Sequence, residues 1–158
     1  MIDTANPDDI DALAGLLAQI NALHAHHVPG RFHTNGTQAE LAAFWRDAMA
    51  GGAMVLVERR ANALHGYLSW KIEDRPATAL EYAMRRARLD HIFVDPGHRR
   101  QGIAARLIGR FEAEAQAAGC HEWYTTVHAF NAPSRSLMRG AGASDSVLAR
   151  SKRLDQPS

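Results

Sequence analysis

The run Val94-Asp95-Pro96-Gly97-His98-Arg99-Arg100-Gln101-Gly102-Ile103-Ala104 places two arginines, an amide and two glycines where an apolar segment gives way to a helical repeat. Leu89 to Val94 reads as a strand closed by Asp95-Pro96-Gly97, and Ile103, Leu107, Ile108 and Phe111 then recur at helical spacing. A basic turn between a strand and a helix is an anion site. The first N–H groups of a helix have no intrahelical acceptor, and the positive end of its dipole favours phosphate or pyrophosphate. Arg99 and Arg100 add guanidinium donors, and the small Gly102 and Ala104 let a ligand approach the main chain. Neither G-x-x-x-x-G-K-[ST] nor G-x-G-x-x-G occurs, which argues against a P-loop NTPase and a Rossmann dehydrogenase.

Just upstream, Asp90 and His91 are the titratable residues of the strand. Strand alternation sends adjacent side chains to opposite faces, so one of the two, not both, is expected to serve a single site. His24, His26, His27 and His33 cluster near one helix end, with no cysteine nearby and no H-E-x-x-H spacing, so no metal site is expected. Glu73, Asp74, Glu81 and Asp90 could line a groove for a cationic ligand. Arg75, Arg85, Arg86 and Arg88 stand among them, fitting a ligand with both an amine and a carboxylate equally well, or a solvated loop.

These groups need a scaffold. Asn6-Pro7-Asp8-Asp9 opens a helix whose apolar face is Ile10, Leu13, Leu17, Ile20 and Leu23. Thr37-Gln38-Ala39-Glu40 has the spacing of a capping box for a second helix, through Leu41, Phe44, Trp45 and Met49 to Gly51-Gly52. Ala53 to Glu58 reads as a buried strand, Leu64 to Glu73 as its antiparallel partner, and Leu89 to Val94 as the next strand. After the Ile103 helix come a strand from Glu122 to Phe130, a short helix from Pro133 to Arg139, and a last strand from Ser146 to Leu154. Phe44, Trp45 and Phe111 are expected in the core. No repeat or linker divides the 158 residues, so one mixed α/β (α+β) domain spanning the chain is expected.

Bulk properties narrow the function. The 18 basic and 17 acidic residues nearly cancel, which leaves no global field for nucleic acid or an anionic membrane. A single cysteine, Cys120, excludes an intramolecular disulfide and suits a reducing compartment, so the cytoplasm is expected. No stretch approaches the ~20 apolar residues of a membrane span, and no signal-peptide pattern opens the chain.

Arg99-Arg100-Gln101-Gly102-Ile103-Ala104 fits the [QR]-x-x-G-x-[GA] signature of the GNAT N-acyltransferase superfamily, in the expected place after a strand. Downstream, Asn131-Ala132-Pro133-Ser134 and Gly142-Ala143-Ser144-Asp145 resemble motifs of the spermidine/spermine and thialysine N-acetyltransferase branch. The resemblance covers about Leu64 to Leu148. It implies a mostly antiparallel central sheet flanked by about four helices, with acetyl-CoA as cosubstrate and its pyrophosphate on the Arg99 to Ala104 turn. It further implies that main-chain groups around Phe93 and Val94 hold the pantetheine arm, that Asn131 and Ser134 line its far wall, and that the protein is a homodimer.

Acetylation of an amine requires loss of an ammonium proton and departure of a thiolate. By resemblance Asp90 stands where polyamine acetyltransferases carry a glutamate, with His91 as the alternative base. Met138 aligns with the tyrosine that protonates the thiolate in many members, and methionine donates no proton. Tyr124, Ser134 or water is left for that task, or the thiolate leaves unaided, since thiols ionise near pH ~8.5. The segment Leu23 to Phe32 falls where the family walls its acceptor site, so Phe32 and one or two histidines, His27 among them, are expected to touch the acceptor. Glu81 is expected there as well. The resemblance implies a small-molecule amine acceptor; a protein or peptide acceptor and a non-catalytic acyl-CoA-binding regulator are the alternatives.

Overall fold

The computed structural model describes residues 1–154. Five strands form one sheet in the order β1 (Ile2–Thr4), β2 (Met54–Arg60), β3 (Ala63–Arg75), β4 (Met84–Val94) and β5 (Glu122–Tyr124). The first four pair antiparallel and β5 pairs parallel to β4, as the helical crossover between them requires. The helices are α1 (Ile10–His27), α2 (Gln38–Ala50), α3 (Ile103–Ala117) and α4 (Ala132–Gly140). This is the expected mixed α/β layout. None of the helices among the described residues is long and apolar enough to cross a membrane.

Local chemistry explains the helix starts. Asn6 caps a 3-10 turn, Pro7–Asp9, that leads into α1, and Asp9 returns a bond to the Asn6 amide at 2.9 Å. Thr37 and Glu40 make the reciprocal pair at α2, and Gly52 closes that helix with φ +86°. Leu13, Leu17 and Ile20 of α1 are buried as their spacing predicts, whereas Leu23 is exposed.

Each face of the sheet carries its own core. Leu13, Leu17 and Ile20 of α1 and Trp45 of α2 pack on Val55, Val57, Tyr67 and Phe93. On the other face Ile103, Leu107, Ile108 and Phe111 of α3 and Met138 of α4 pack on Leu56, Leu68, Trp70, Ala87 and Leu89. Trp45 and Phe111 are fully buried, as expected, and truncating either to Ala would cost ~3–5 kcal/mol.

Three strand expectations change. β4 begins at Met84, five residues before Leu89, because Arg85, Arg86 and Arg88 pair across the ladder with β3 instead of forming a loop. Bidentate Arg85–Asp74 bonds of 2.7 and 2.8 Å and an Arg88–Glu73 bond of 2.9 Å accompany that pairing. β5 stops at Tyr124 rather than Phe130, since its ladder with β4 ends at Arg88 opposite Tyr124. Ser146 to Leu154 forms no strand: Val147 and Leu148 are exposed, and without a buried face the segment has no register to hold it.

Candidate active site

The site begins with a break in the β4 ladder. Ser69 of β3 faces His91 and Trp70 faces Leu89, so Asp90 is an extra residue with no cross-strand partner. Ala87 and Leu89 belong to the α3-side core, as do Ile92 and Val94 beyond the break, while Phe93 joins the core under α1 and α2. The parity of the strand therefore flips at the bulge, and Asp90 and His91 both turn toward the α1–α2 side. The expectation that alternation separates them is overturned, because alternation holds only in an unbroken ladder.

Beyond the bulge the outer edge of β4 is open. The pairing with β5 ends at Arg88, and among the described residues only a 2.9 Å bond from the Thr125 hydroxyl to the Leu89 carbonyl continues toward the next segment. An open strand edge offers unpaired N–H and C=O groups to an extended amide-bearing ligand. Here the gap becomes a cavity of about 240 Å³ lined by Leu89 to Ile92, Thr125 to His128, Asn131, Ser134 and Met138, with His24, Arg31 and Phe32 over it.

A second cavity of about 490 Å³ lies on the α2 side of the same strand, lined by Phe44, Asp47 and Ala48 with Ser69, Lys71 and Arg88. Asp90 and His91 line both cavities. They stand where the two spaces meet.

The two residues differ in state. Arg88 Nε donates to Asp90 Oδ1 and its Nη2 to Oδ2 at 3.4 Å, so the carboxylate is held by its own strand. His91 makes no hydrogen bond among the described residues and lies near Phe44 and Trp45, at ring distances of 6.0 and 6.3 Å. Burial lowers its pKa from the ordinary imidazole value, against a smaller upward pull from the Asp90 charge. A neutral imidazole with unengaged nitrogens is thus available near neutral pH.

The anion turn closes the far end of the open edge. Arg100 and Gly102 both have positive φ, 61° and 72°, which curls the main chain before α3. A Cβ on Gly102 would meet Arg106 Nη1 at 3.3 Å, so the position needs glycine both for backbone and for space. The first intrahelical bond at this turn runs from the Arg106 N–H to the Gly102 carbonyl at 3.0 Å, leaving the earlier amides of Ile103, Ala104 and Ala105 without an intrahelical acceptor. Arg106 also reaches Gln101 O at 2.9 Å and the buried Glu58 at 3.1 Å, while Arg60 bonds both Glu58 and the Gln101 side chain. Burial pushes the Glu58 pKa up, but the two arginines and the N-terminal amine together outweigh it and hold the carboxylate ionised. Arg99 folds back, donating to the Val94 carbonyl at 3.1 Å with its guanidinium 5.8 Å from the Phe93 ring centre.

The other sequence-derived residues divide. Phe32, Asn131 and Ser134 line the smaller cavity, and Asn131 Oδ1 accepts from the Ser134 amide at 3.2 Å as the cap of α4. His27 does not line it; its ring stacks on Phe130 at 4.2 Å, and His24, one turn earlier, takes the cavity position. Spaced i, i+3, the two share one face of α1, and His27 lies one turn further along, against Phe130. Burial first, then the neighbouring His128, His91 and Arg31, lower the His24 pKa. Glu81 sits in the β3–β4 loop, hydrogen-bonded to Thr78 and lining neither cavity. Tyr124 is also outside them: its hydroxyl donates to Glu73 at 2.8 Å and Arg86 lies 4.0 Å over its ring. Burial raises the Glu73 pKa, yet Tyr124, Arg88 and Arg86 together leave it below the usual range.

Sequence reasoning missed Phe44, Asp47 and Lys71. Phe44 is 44% exposed and lines the larger cavity, against the expectation of a core residue. Phe44 and Trp45 are consecutive on α2 and cannot share one face, and Ser69 and Lys71 alternate with Leu68, Trp70 and Ile72, so both signals were present.

An open strand edge, a bulge that turns two titratable residues into one cleft, and a positive-φ turn at a helix start coincide with the family model. The model of the acetyltransferase (GNAT) family matches residues 20–143, and the chain belongs to that family: it is an acetyltransferase. Among solved structures, a mutant of the BH1408 protein from Bacillus halodurans superposes with TM-score 0.88 at 16% identity, covering 98% of this chain and 99% of that one. The aminoglycoside N-acetyltransferase AAC(6')-Iy, solved with CoA, is similar at TM-score 0.75 and 18% identity, over 99% and 95%. A ribosomal-protein-alanine N-acetyltransferase from Brucella melitensis biovar Abortus 2308 is similar at 0.73 and 21%, over 98% and 99%. No curated protein matches the chain.

Proposed function

We propose that this protein transfers the acetyl group of acetyl-CoA directly to the primary amine of a small, amino-acid-like molecule. One observation carries the reading: Asp90 and His91 line both cavities, so a donor along the open β4 edge and an acceptor over α2 would meet at those two side chains. The pyrophosphate would lie on the Gly102 to Ala104 amides, flanked by Arg99 and Arg100, and the pantetheine amides would pair with β4 between Asp90 and Val94. Asn131 and Ser134 would wall the cofactor on its other side.

His91 takes the ammonium proton, and the Asp90 carboxylate stabilises the imidazolium that results. The amine then attacks the thioester carbonyl, the C–S bond breaks, and the thiolate leaves. The hydroxyls of Ser134 and Thr126 both line the cavity without a hydrogen bond among the described residues, and Ser134 or water relays the second proton of the attacking nitrogen to the thiolate. Tyr124 is not proposed for that step because Glu73 holds its hydroxyl.

The charges favour an amino-acid-like acceptor over a polyamine. Glu73, Asp74 and Asp90 are already paired with Arg88 and Arg85, which leaves Asp47 as the carboxylate of the acceptor cavity without an ion pair among the described residues, a single charge where a polycation needs several. Lys71 has no ion-pair partner among the described residues and lines the acceptor cavity, where it would take a carboxylate. A homodimer belongs to the same proposal through the family resemblance, and light scattering over a concentration series tests it. The central test is melting with and without acetyl-CoA, followed by thiol release against amino acids, polyamines, aminoglycosides and alanine-terminated peptides. Release with amino-acid-like amines is expected; stabilisation without release from any amine would instead make the protein an acyl-CoA-binding regulator.

A further inference from the structure

A second bulge lies at the opposite end of β3. Glu58 of β2 faces Gly66 and Arg59 faces Leu64, so His65 is the extra residue there, as Asp90 is in β4. On its other side the His65 carbonyl accepts from the Asp95 amide at 2.9 Å, which fixes His65 against the first residue beyond β4. The 3-10 turn Pro96–His98 then folds back, with the His98 amide bonded to the Asp95 carbonyl at 2.9 Å and the Gly97 amide to Asp95 Oδ1 at 2.8 Å. These backbone bonds bring His65, Asp95 and His98 together with one ligand atom from each within 4.8 Å of the others. The two imidazoles lie 3.7 Å apart, and His98 Nδ1, 3.9 Å from Asp95 Oδ1, is buried without a hydrogen-bond partner.

Two imidazoles packed this closely cannot both be charged without repulsion, and a buried ring nitrogen with no partner costs free energy. A divalent cation removes both penalties. Imidazole and carboxylate donors suit zinc and its first-row neighbours, whose ligand atoms sit about 2 Å from the ion. Ligands that close around such an ion lie roughly 3.3 Å from one another, a contraction of about 1.5 Å at the widest edge that rotation of two side chains can supply.

We propose that His65, Asp95 and His98 bind one zinc-class divalent ion, with solvent completing the coordination. The ion clips the end of β3 to the segment that leads into the anion turn. It takes no part in acetyl transfer and lies apart from His24 and His128 of the smaller cavity, which form no such group among the described residues.

The test uses the untagged full chain stripped of metal. Calorimetric titration with Zn²⁺ is expected to show one site per chain, and Co²⁺ to give the visible absorption of a low-coordinate nitrogen and oxygen site. His98→Ala and His65→Ala should each weaken binding at least ~100-fold while the metal-free melting temperature stays close to the parent's. Asp95→Asn keeps the oxygen that caps Gly97 and removes only the charge, so it should weaken binding ~10-fold or more with the turn intact. His24→Ala and His128→Ala should bind as the parent does. Absence of stoichiometric uptake by the parent overturns the proposal, as does unchanged affinity in a folded His98→Ala chain. Loss of binding in His24→Ala alone would likewise overturn it by placing the ion at the smaller cavity.

Discussion

The two halves of β4, Met84-Arg85-Arg86-Ala87-Arg88 before Leu89 and Asp90-His91-Ile92-Phe93-Val94 after it, meet opposite fates. From Met84 to Arg88 the strand is paired with β3, from Arg86 onward with β5 as well, and its arginines are spent on Glu73 and Asp74 of β3 and on Asp90 of β4 itself. From His91 to Val94 it is paired on one side only, and Asp90, His91 and Ile92 line cavities. Charge in the closed half serves the ladder, whereas polarity in the open half is left for ligands. A titratable residue in a strand is therefore informative about chemistry only once the neighbours of the strand are known.

That comparison can be broken most severely at His91. His91→Gln should lower kcat by ~10²–10⁴ with little change in melting temperature, measured by thiol release at saturating acetyl-CoA. Next in size is Gly102→Val, which forces a branched side chain into a positive-φ position; it should raise KM for acetyl-CoA by ~10–100-fold and abolish the acetyl-CoA-induced melting shift. Lys71→Met should raise KM ~10-fold for acceptors with a carboxylate and leave purely cationic amines unaffected, which reports the acceptor class.

Finer effects sharpen the contrast. The acid limb of kcat/KM, set by protonation of the His91 base, should have its midpoint below pH 6.5, the ordinary imidazole value that burial lowers at His91. Asp90→Asn removes the charge that pulls this pKa upward, so the limb should move to still lower pH while activity falls only ~3–10-fold; a complete loss would make Asp90 the base instead. His24 and His91 are both depressed in the fold, so the unfolded chain takes up protons first as pH falls through 6.5. Their contribution to stability is present above that value and lost below it, and melting temperature should decline on acidification from pH 7 to 5. Smallest of all, Tyr124→Phe in the closed half should change kcat less than about twofold, costing only the ~1 kcal/mol of a lost hydrogen bond in denaturant titration.

Much of the molecule was legible in the order of its residues. The caps at Asn6 and Thr37, the helical spacing of α3 and the glycine turn before it are local, because each rests on groups within one or two turns of chain. Phe32, expected at the acceptor, and Asn131 and Ser134, expected at the cofactor, line one cavity together. What lay beyond the sequence depended on pairing. The extension of β4 back to Met84, the early end of β5 and the exposure of Ser146 to Leu154 are set by which segment finds a partner edge. The convergence of Asp90 and His91, and that of His65 with Asp95 and His98, arise from single unpaired residues in a ladder. One extra residue costs nothing visible in the sequence pattern, yet it reverses the side to which every later side chain points, so the tertiary structure alone decided which residues share the site.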